Sequence, residues 1–158
     1  MLDTYTVSFF GHRELKNFTN IYLQLESLVR ELVDTKQYVE FLVGRNGQFD
    51  SLVSSVIRMV KREYRDDNSS LVLVLPYNTK EYSDNIGYFE NYFDEVEICN
   101  ESSMAHFKAA IQVRNKSMVD RSDLTVFYVE NESGGAYITY KYAKSQNKKI
   151  IRLLLKKE

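Results

Sequence analysis

The segment that most narrows the choice of fold is Ser70–Pro76 (SLVLVLP), an apolar run with no polar alternation. A strand of that kind is covered on both faces, whereas a half-exposed antiparallel strand alternates apolar with polar residues. Comparable runs occur at Thr4–Phe10 (TYTVSFF), Tyr38–Val43 (YVEFLV), Leu124–Val129 (LTVFYV) and Lys149–Leu155 (KIIRLLL), with a shorter one at Val96–Cys99. Between them the apolar period lengthens. From Glu14 to Val33 the residues Leu15, Phe18, Ile21, Tyr22, Leu25, Leu28, Val29 and Leu32 recur every three or four positions, which predicts an amphipathic helix. Phe49–Tyr64 repeats that spacing through Phe49, Leu52, Val53, Val56, Ile57 and Val60.

Further helices are expected at Ser103–Asp120, capped by Ser102 or Ser103, and at Tyr137–Ser145. The aromatic, acidic stretch Tyr77–Glu95 is less regular and reads as a loop with a short helix. Strands alternating with helices predict the α/β class: a single Rossmann-like three-layer domain with a mostly parallel sheet. With no repeat and no linker, that domain covers residues 1–158.

Composition limits the function. A chain of 158 residues that is 44% hydrophobic and 13% aromatic supports one buried core, which excludes a disordered chain. Twenty-one basic against 22 acidic residues give a net charge of −1, which argues against a strongly basic nucleic-acid binder. Cys99 is the single cysteine, so an intramolecular disulfide is excluded. No His/Cys cluster offers zinc-ligand spacing, and neither a metal nor another cofactor is expected. The start MLDTYTVSFFGHR lacks the pattern of a signal peptide, and the apolar runs are too short to span a bilayer. A soluble cytoplasmic protein without membrane contact is the expectation. The aromatic middle segment and the Tyr-rich Tyr137–Tyr142 stretch also predict a homo-oligomer.

In a parallel sheet, ligands bind beyond the carboxyl ends of the strands. Five of the six glycines fall there: Gly11 after the first strand, Gly44 and Gly47 after the second, Gly134 and Gly135 after the fifth. Each precedes a helix, whose free N–H groups attract an anion, and three such turns on one edge would cradle a phosphate. Around them stand candidate ligand contacts. In Gly11-His12-Arg13, Arg13 is a fork-shaped phosphate partner, and His12 either donates to a ligand or caps the turn. In Gly44-Arg45-Asn46-Gly47, the pair Asn46-Gly47 suits a left-handed backbone. Asp50 opens the next helix, where it either stabilises the helix dipole or binds a ribose hydroxyl or base edge. Arg114, Asn115 and Met118 lie within one helix, Arg114 and Met118 on a shared face. There Arg114 is a surface charge or a ligand contact, and Met118 a core residue or a ligand contact. Ser133, Gly134, Gly135 and Ala136 leave backbone N–H groups uncovered. His106, beside Phe107 in a helical stretch, is expected to be packed or solvated.

Taken in order, a strand ending in GHR, a strand ending in GxxGxFD, a helix carrying RNxxM and a strand followed by GGA resemble the SLOG superfamily. Its members include DprA/Smf, the LOG nucleotide phosphoribohydrolases and the YpsA-like bacterial and prophage proteins, and the pattern is most similar to the last. The resemblance runs from Phe9 to about Ile151. It implies a Rossmann-like fold that binds a nucleotide-like small molecule, with phosphate at the GGA turn near Arg114. LOG enzymes carry PGGxGTxxE, whose Glu assists cleavage of the N-glycosidic bond. Here the stretch is Ser133-Gly134-Gly135-Ala136-Tyr137-Ile138-Thr139-Tyr140-Lys141, with Tyr140 or Lys141 in place of that Glu. Neither replaces a carboxylate opposite a developing oxocarbenium ion.

The leading expectation is therefore a nucleotide-binding domain without efficient catalysis. A hydrolase using Asp50 or Glu132 with Arg114 ranks second. Single-stranded nucleic acid, with Tyr77, Tyr82, Tyr88 and Tyr92 stacking bases, ranks third.

Overall fold

Six strands, β1 (Thr4–Gly11), β2 (Tyr38–Val43), β3 (Ser69–Leu75), β4 (Glu95–Ile98), β5 (Leu124–Tyr128) and β6 (Ile150–Arg152), form one sheet in the order β4-β3-β2-β1-β5-β6. Every pairing is parallel. The structure is a computed structural model and describes residues 2–155.

Register explains why the strand sequences are apolar throughout. Val7 pairs with both Phe41 and Leu124, and Phe41 pairs with Leu71. Because side chains alternate sides along a strand, these residues share one face. Val7, Phe9, Phe41, Leu71, Leu73, Val126 and Tyr128 pack on that face against α1 (Phe18–Thr35), α2 (Gln48–Glu63) and Phe89 of α4 (Ile86–Tyr92). The intervening residues Phe10, Leu42, Val72, Val74 and Phe127 face the other way, against α6 (Phe107–Asp120) and α7 (Gly135–Ser145). The expected three layers are thus present. Helix α1 buries Ile21, Leu25, Val29, Leu32 and Val33, each contributing roughly 1.5–3 kcal/mol of hydrophobic stabilisation.

Several boundaries differ from the sequence expectation. Helix α1 begins at Phe18 rather than near Glu14, because Asn17 takes a left-handed φ of 58° and turns the chain into the helix. The irregular middle holds two short helices, α3 (Lys80–Asp84) and α4. The helix expected over Ser103–Asp120 starts only at Phe107, as α6, and a separate short helix, α5 (Asn100–Ser103), precedes it. Neither expected serine caps α6: the Ser102 hydroxyl turns back to the carbonyls of Pro76 and Cys99. His106 caps it instead, its Nδ1 accepting from the Lys108 N–H at 3.3 Å. Among the described residues no helix is long and apolar enough to cross a membrane.

The topology fixes where a ligand can enter. Strand β1 leads to α1 on one face, while its neighbour β5 leads to α7 on the opposite face. The two connections diverge and leave a crevice at the carboxyl ends of β1 and β5, the switch point of a doubly wound sheet.

Candidate functional site

A cavity of about 420 Å³ occupies that crevice. The structure gathers around it every candidate residue except Gly47 and Ser133. Phe10 and Met118, both buried in the sheet–α6 core, supply apolar surface. Gly11, His12 and Arg13 approach from the end of β1, Gly44 and Asn46 from the β2–α2 connection, and Asp50 from the first turn of α2. Helix α6 contributes Arg114 and Asn115, together with Lys108, Ile111 and Gln112, and the start of α7 contributes Gly135 and Ala136, with Gly134 just before it.

Helix α7 presents an open N-terminus to this space. Gly134 holds the position before the helix with φ 90°, which L side chains rarely adopt, and no side chain caps the first turn. The first-turn N–H groups and the helix dipole therefore favour an anion. Gly134 and Gly135 are exposed, whereas Ala136 is nearly buried. Ser133 lies outside the cavity on the exposed approach to α7.

Gly11 and Gly47 serve packing. A side chain at Gly11 would overlap the ring of Phe49, so this glycine lets α2 lie close on β1. At Gly47 a Cβ would come 2.5 Å from the Arg13 Cα. Gly47 itself is extended, with φ 167°, so the left-handed backbone expected at Asn46-Gly47 is absent. What glycine provides there is room for two loops to touch. The Gln48 N–H donates to the Arg13 carbonyl at 2.8 Å, so an amide at the start of α2 is already used. Of the three glycine turns, the one before α7 lines the cavity with Gly134 and Gly135, whereas Gly47 lies outside it.

Arg114 differs from a surface charge. It is only 3% exposed, and its donors are largely committed: Nη1 to the Val74 carbonyl at 3.0 Å, Nε and Nη2 to Asn115 Oδ1 at 3.1 and 3.0 Å. With the Asn46 amide oriented by its neighbours, its oxygen also accepts from Arg114 Nη2 at 3.0 Å. Asn115 Nδ2 then donates to Thr139 Oγ1 at 3.1 Å, and that hydroxyl donates to the Gly135 carbonyl at 2.9 Å. One polar chain therefore runs from the end of β3 to the first turn of α7. Arg114 anchors the wall rather than reaching freely for a ligand.

Asp50 lies close to that anchor. A Cβ built on Gly44 would meet Asp50 Oδ2 at 3.0 Å and both Arg114 terminal nitrogens at 3.4 Å, so Gly44 keeps open the place where acid and base converge. Asp50 Oδ2 accepts from the Asn46 N–H at 2.8 Å. Its other oxygen makes no hydrogen bond to protein among the described residues. Burial pushes the Asp50 carboxyl above the usual carboxylate range, outweighing the Asn46 N–H and the positive charge of Arg114. The residue retains some exposure, and its carboxyl sits deep in the wall of the cavity.

His12 is half-buried, and its Nε2 accepts from the Glu130 N–H at 2.9 Å and the Asn131 N–H at 3.2 Å. That nitrogen is occupied by the chain's own backbone, so it does not donate to a ligand. Arg13 and Lys108 are exposed cations beside the cavity. Lys108, Ile111 and Gln112 were absent from the sequence-based site. Their signal was available only as the helical face shared with Arg114 and Asn115.

No carboxylate stands in the LOG position. Lys141 is exposed with its ammonium over the Tyr137 ring, and Tyr140 packs against Phe127 under Arg152. Glu132, also considered as an acid, is exposed and lies away from the cavity. Asp50 is the only carboxylate among the described residues lining it.

An all-parallel, doubly wound α/β domain with an anion-attracting helix end at its switch point belongs to the Rossmann-like class. No protein-family model matches the sequence, and no curated protein matches it. Solved structures do share the fold. DprA from Helicobacter pylori, described for its single-stranded DNA binding mode, superposes with a TM-score of 0.68 at 13% identity, over 96% of this chain and 66% of that one. DprA from Streptococcus pneumoniae gives 0.64 at 11% identity, over 94% and 50%. This chain has the DprA-like Rossmannoid fold and spans half to two thirds of the length of those proteins.

Proposed function

We propose that this domain binds a nucleotide or nucleotide-derived small molecule at the switch-point cavity, without efficient turnover. The observation that carries the reading is the uncapped end of α7 opening on the same cavity as the Asp50 carboxyl. The phosphate lies against the first-turn amides of α7, where the dipole and the Lys108 ammonium neutralise it. Asp50 hydrogen-bonds a sugar hydroxyl or base edge from the opposite wall. Phe10, Ile111 and Met118 give apolar contact between these two polar ends. About 420 Å³ lies within the range typical of small-molecule pockets. Binding rather than hydrolysis is supported by Tyr140 or Lys141 standing where the resemblance to LOG enzymes would place a carboxylate.

The fold shared with DprA favours a second reading, in which the same cavity takes a nucleotide of a single strand. Exposed Arg13 and Lys108 beside it suit a phosphate backbone.

Thermal melting separates the two. Adenosine or guanosine 5′-monophosphate at a hundredfold excess over Kd adds about 2.7 kcal/mol to native stability and raises Tm. If neither nucleotide nor inorganic phosphate shifts Tm, the proposal fails. Tighter binding of an oligothymidylate, weakening steeply with salt, selects the second reading. Release of free base from a monophosphate, abolished in Asp50→Asn, would replace binding with catalysis.

A further inference from the structure

The loop between β5 and α7 is held from two sides. Arg152 of β6 donates from Nη2 to the Val129 carbonyl at 2.9 Å. His12, at the end of β1, accepts from the next two N–H groups, those of Glu130 and Asn131. The chain then passes through Gly134, with its φ of 90°, into the open turn of α7. The loop so clamped is the one that sets where that turn opens.

A ring nitrogen that accepts two N–H groups carries no proton, so the proton of the neutral imidazole resides on Nδ1. We infer that His12 is the positioning residue of the anion site: as the neutral Nδ1–H tautomer it fixes the Glu130–Asn131 backbone, and so the direction in which the first-turn amides of α7 face the cavity. This inference rests on reading the end of α7 as that site.

Protonation reverses the contact. It converts the Nε2 acceptor into a donor pointing at two backbone donors, and the loop loses one of its two anchors. The charged groups around His12 are the Glu130 carboxylate on the clamped loop, which favours the cation, and the Arg152 guanidinium on β6, which opposes it. The Tyr128 ring of β5 meets the imidazole edge-on at 5.8 Å, and Arg13 follows it in the chain. Burial prevails over Glu130 and holds His12 below the ordinary imidazole value. Near neutral pH the latch is closed, and acidification opens it.

The test uses three forms of the whole chain: wild type, His12→Ala and His12→Gln, the last supplying an uncharged acceptor of similar reach. Adenosine 5′-monophosphate is titrated at about pH 7.5 and about pH 5, spanning the histidine range. At the higher pH, His12→Ala binds about tenfold more weakly, the scale of one lost hydrogen bond, while His12→Gln stays near wild type. At the lower pH, wild type weakens more than His12→Gln, and their difference removes the phosphate's own titration. Matching pH profiles for wild type and His12→Gln would overturn the inference.

A second measurement needs no ligand. Amide hydrogen exchange shows Glu130 and Asn131 protected in wild type and His12→Gln, and unprotected in His12→Ala while the β1 and β5 amides stay protected. Equal protection in all three forms would overturn the latch. If adenosine monophosphate binds no form at either pH, the proposed function fails, and the exchange result still decides the role of His12.

Discussion

The guanidinium of Arg114 donates to the Val74 carbonyl at 3.0 Å, so a side chain from α6 closes the carboxyl end of β3. Removing it in Arg114→Ala leaves that carbonyl and Asn115 Oδ1 without their donor, and leaves Asp50 buried without its nearest positive charge. Leaving buried acceptors without their donor costs about 1–3 kcal/mol. Arg114→Lys keeps a charge but not the planar fork, and recovers only part of the loss. Urea denaturation measures both. A loss below about 1 kcal/mol for the alanine variant would return Arg114 to the class of surface charges.

The glycines divide by what a side chain would strike. At Gly11 a Cβ overlaps the fully buried Phe49 ring, and neither the strand nor α2 has room to yield. Gly11→Ala is expected to destabilise by about 1–3 kcal/mol through overpacking. At Gly135 a Cβ meets only Gln112 Nε2, at 2.9 Å, the movable end of a flexible side chain. Gly135→Val therefore keeps its melting temperature but places a branched side chain at the anion position, and nucleotide binding is lost. Retained affinity in that variant would show that the phosphate lies elsewhere.

Lys108 stands exposed beside the cavity, one turn before Ile111 and Gln112 on the same wall of α6. Its ammonium adds attraction without supporting the fold. Lys108→Ala should lower affinity for adenosine monophosphate several-fold and flatten its salt dependence, with stability unchanged within about 0.5 kcal/mol. Isothermal titration at low and high salt reads both effects. Unchanged affinity at low salt would remove Lys108 from the site.

The strands were legible because a continuous apolar run such as Tyr38–Val43 has few stable placements other than the middle of a covered sheet. The cavity that makes up the candidate site was legible in outline because the glycines mark strand ends, and strand ends converge once the sheet is parallel. What each glycine does was not legible. Gly11, Gly47 and Gly134 look alike in sequence, yet one accommodates Phe49, one accommodates Arg13 and one takes a positive φ. Lys108 was hidden for a related reason: a polar residue on a helix reads as solvated until the register of α6 turns its face to the cavity. Leu15 extended the helical period of α1 upstream although it belongs to the loop before Asn17, where it packs on the core from irregular backbone. The direction of the His12 contact depends on two amides more than a hundred residues away, beyond any local pattern.

Asp50 gives the folded state a proton affinity that the unfolded chain lacks, because burial raises its carboxyl above the usual range. A group raised in this way favours folding below its unfolded value of about 3.9, and that contribution is lost as pH rises through the raised native value. At neutral pH the native protein must either hold a buried carboxylate or keep a proton that solvent would take. Asp50→Asn removes that burden while keeping an oxygen for the Asn46 N–H. The variant should be about 1 kcal/mol more stable than wild type at neutral pH, with the gain vanishing toward pH 4. It should also bind adenosine monophosphate more weakly, since a residue strained for recognition loses function when the strain is relieved. Urea midpoints at the two pH values, with a nucleotide titration, test both parts. Destabilisation at neutral pH would mean that attraction to Arg114 exceeds the burial cost, and Asp50 would then be a structural partner of Arg114 first and a ligand contact second.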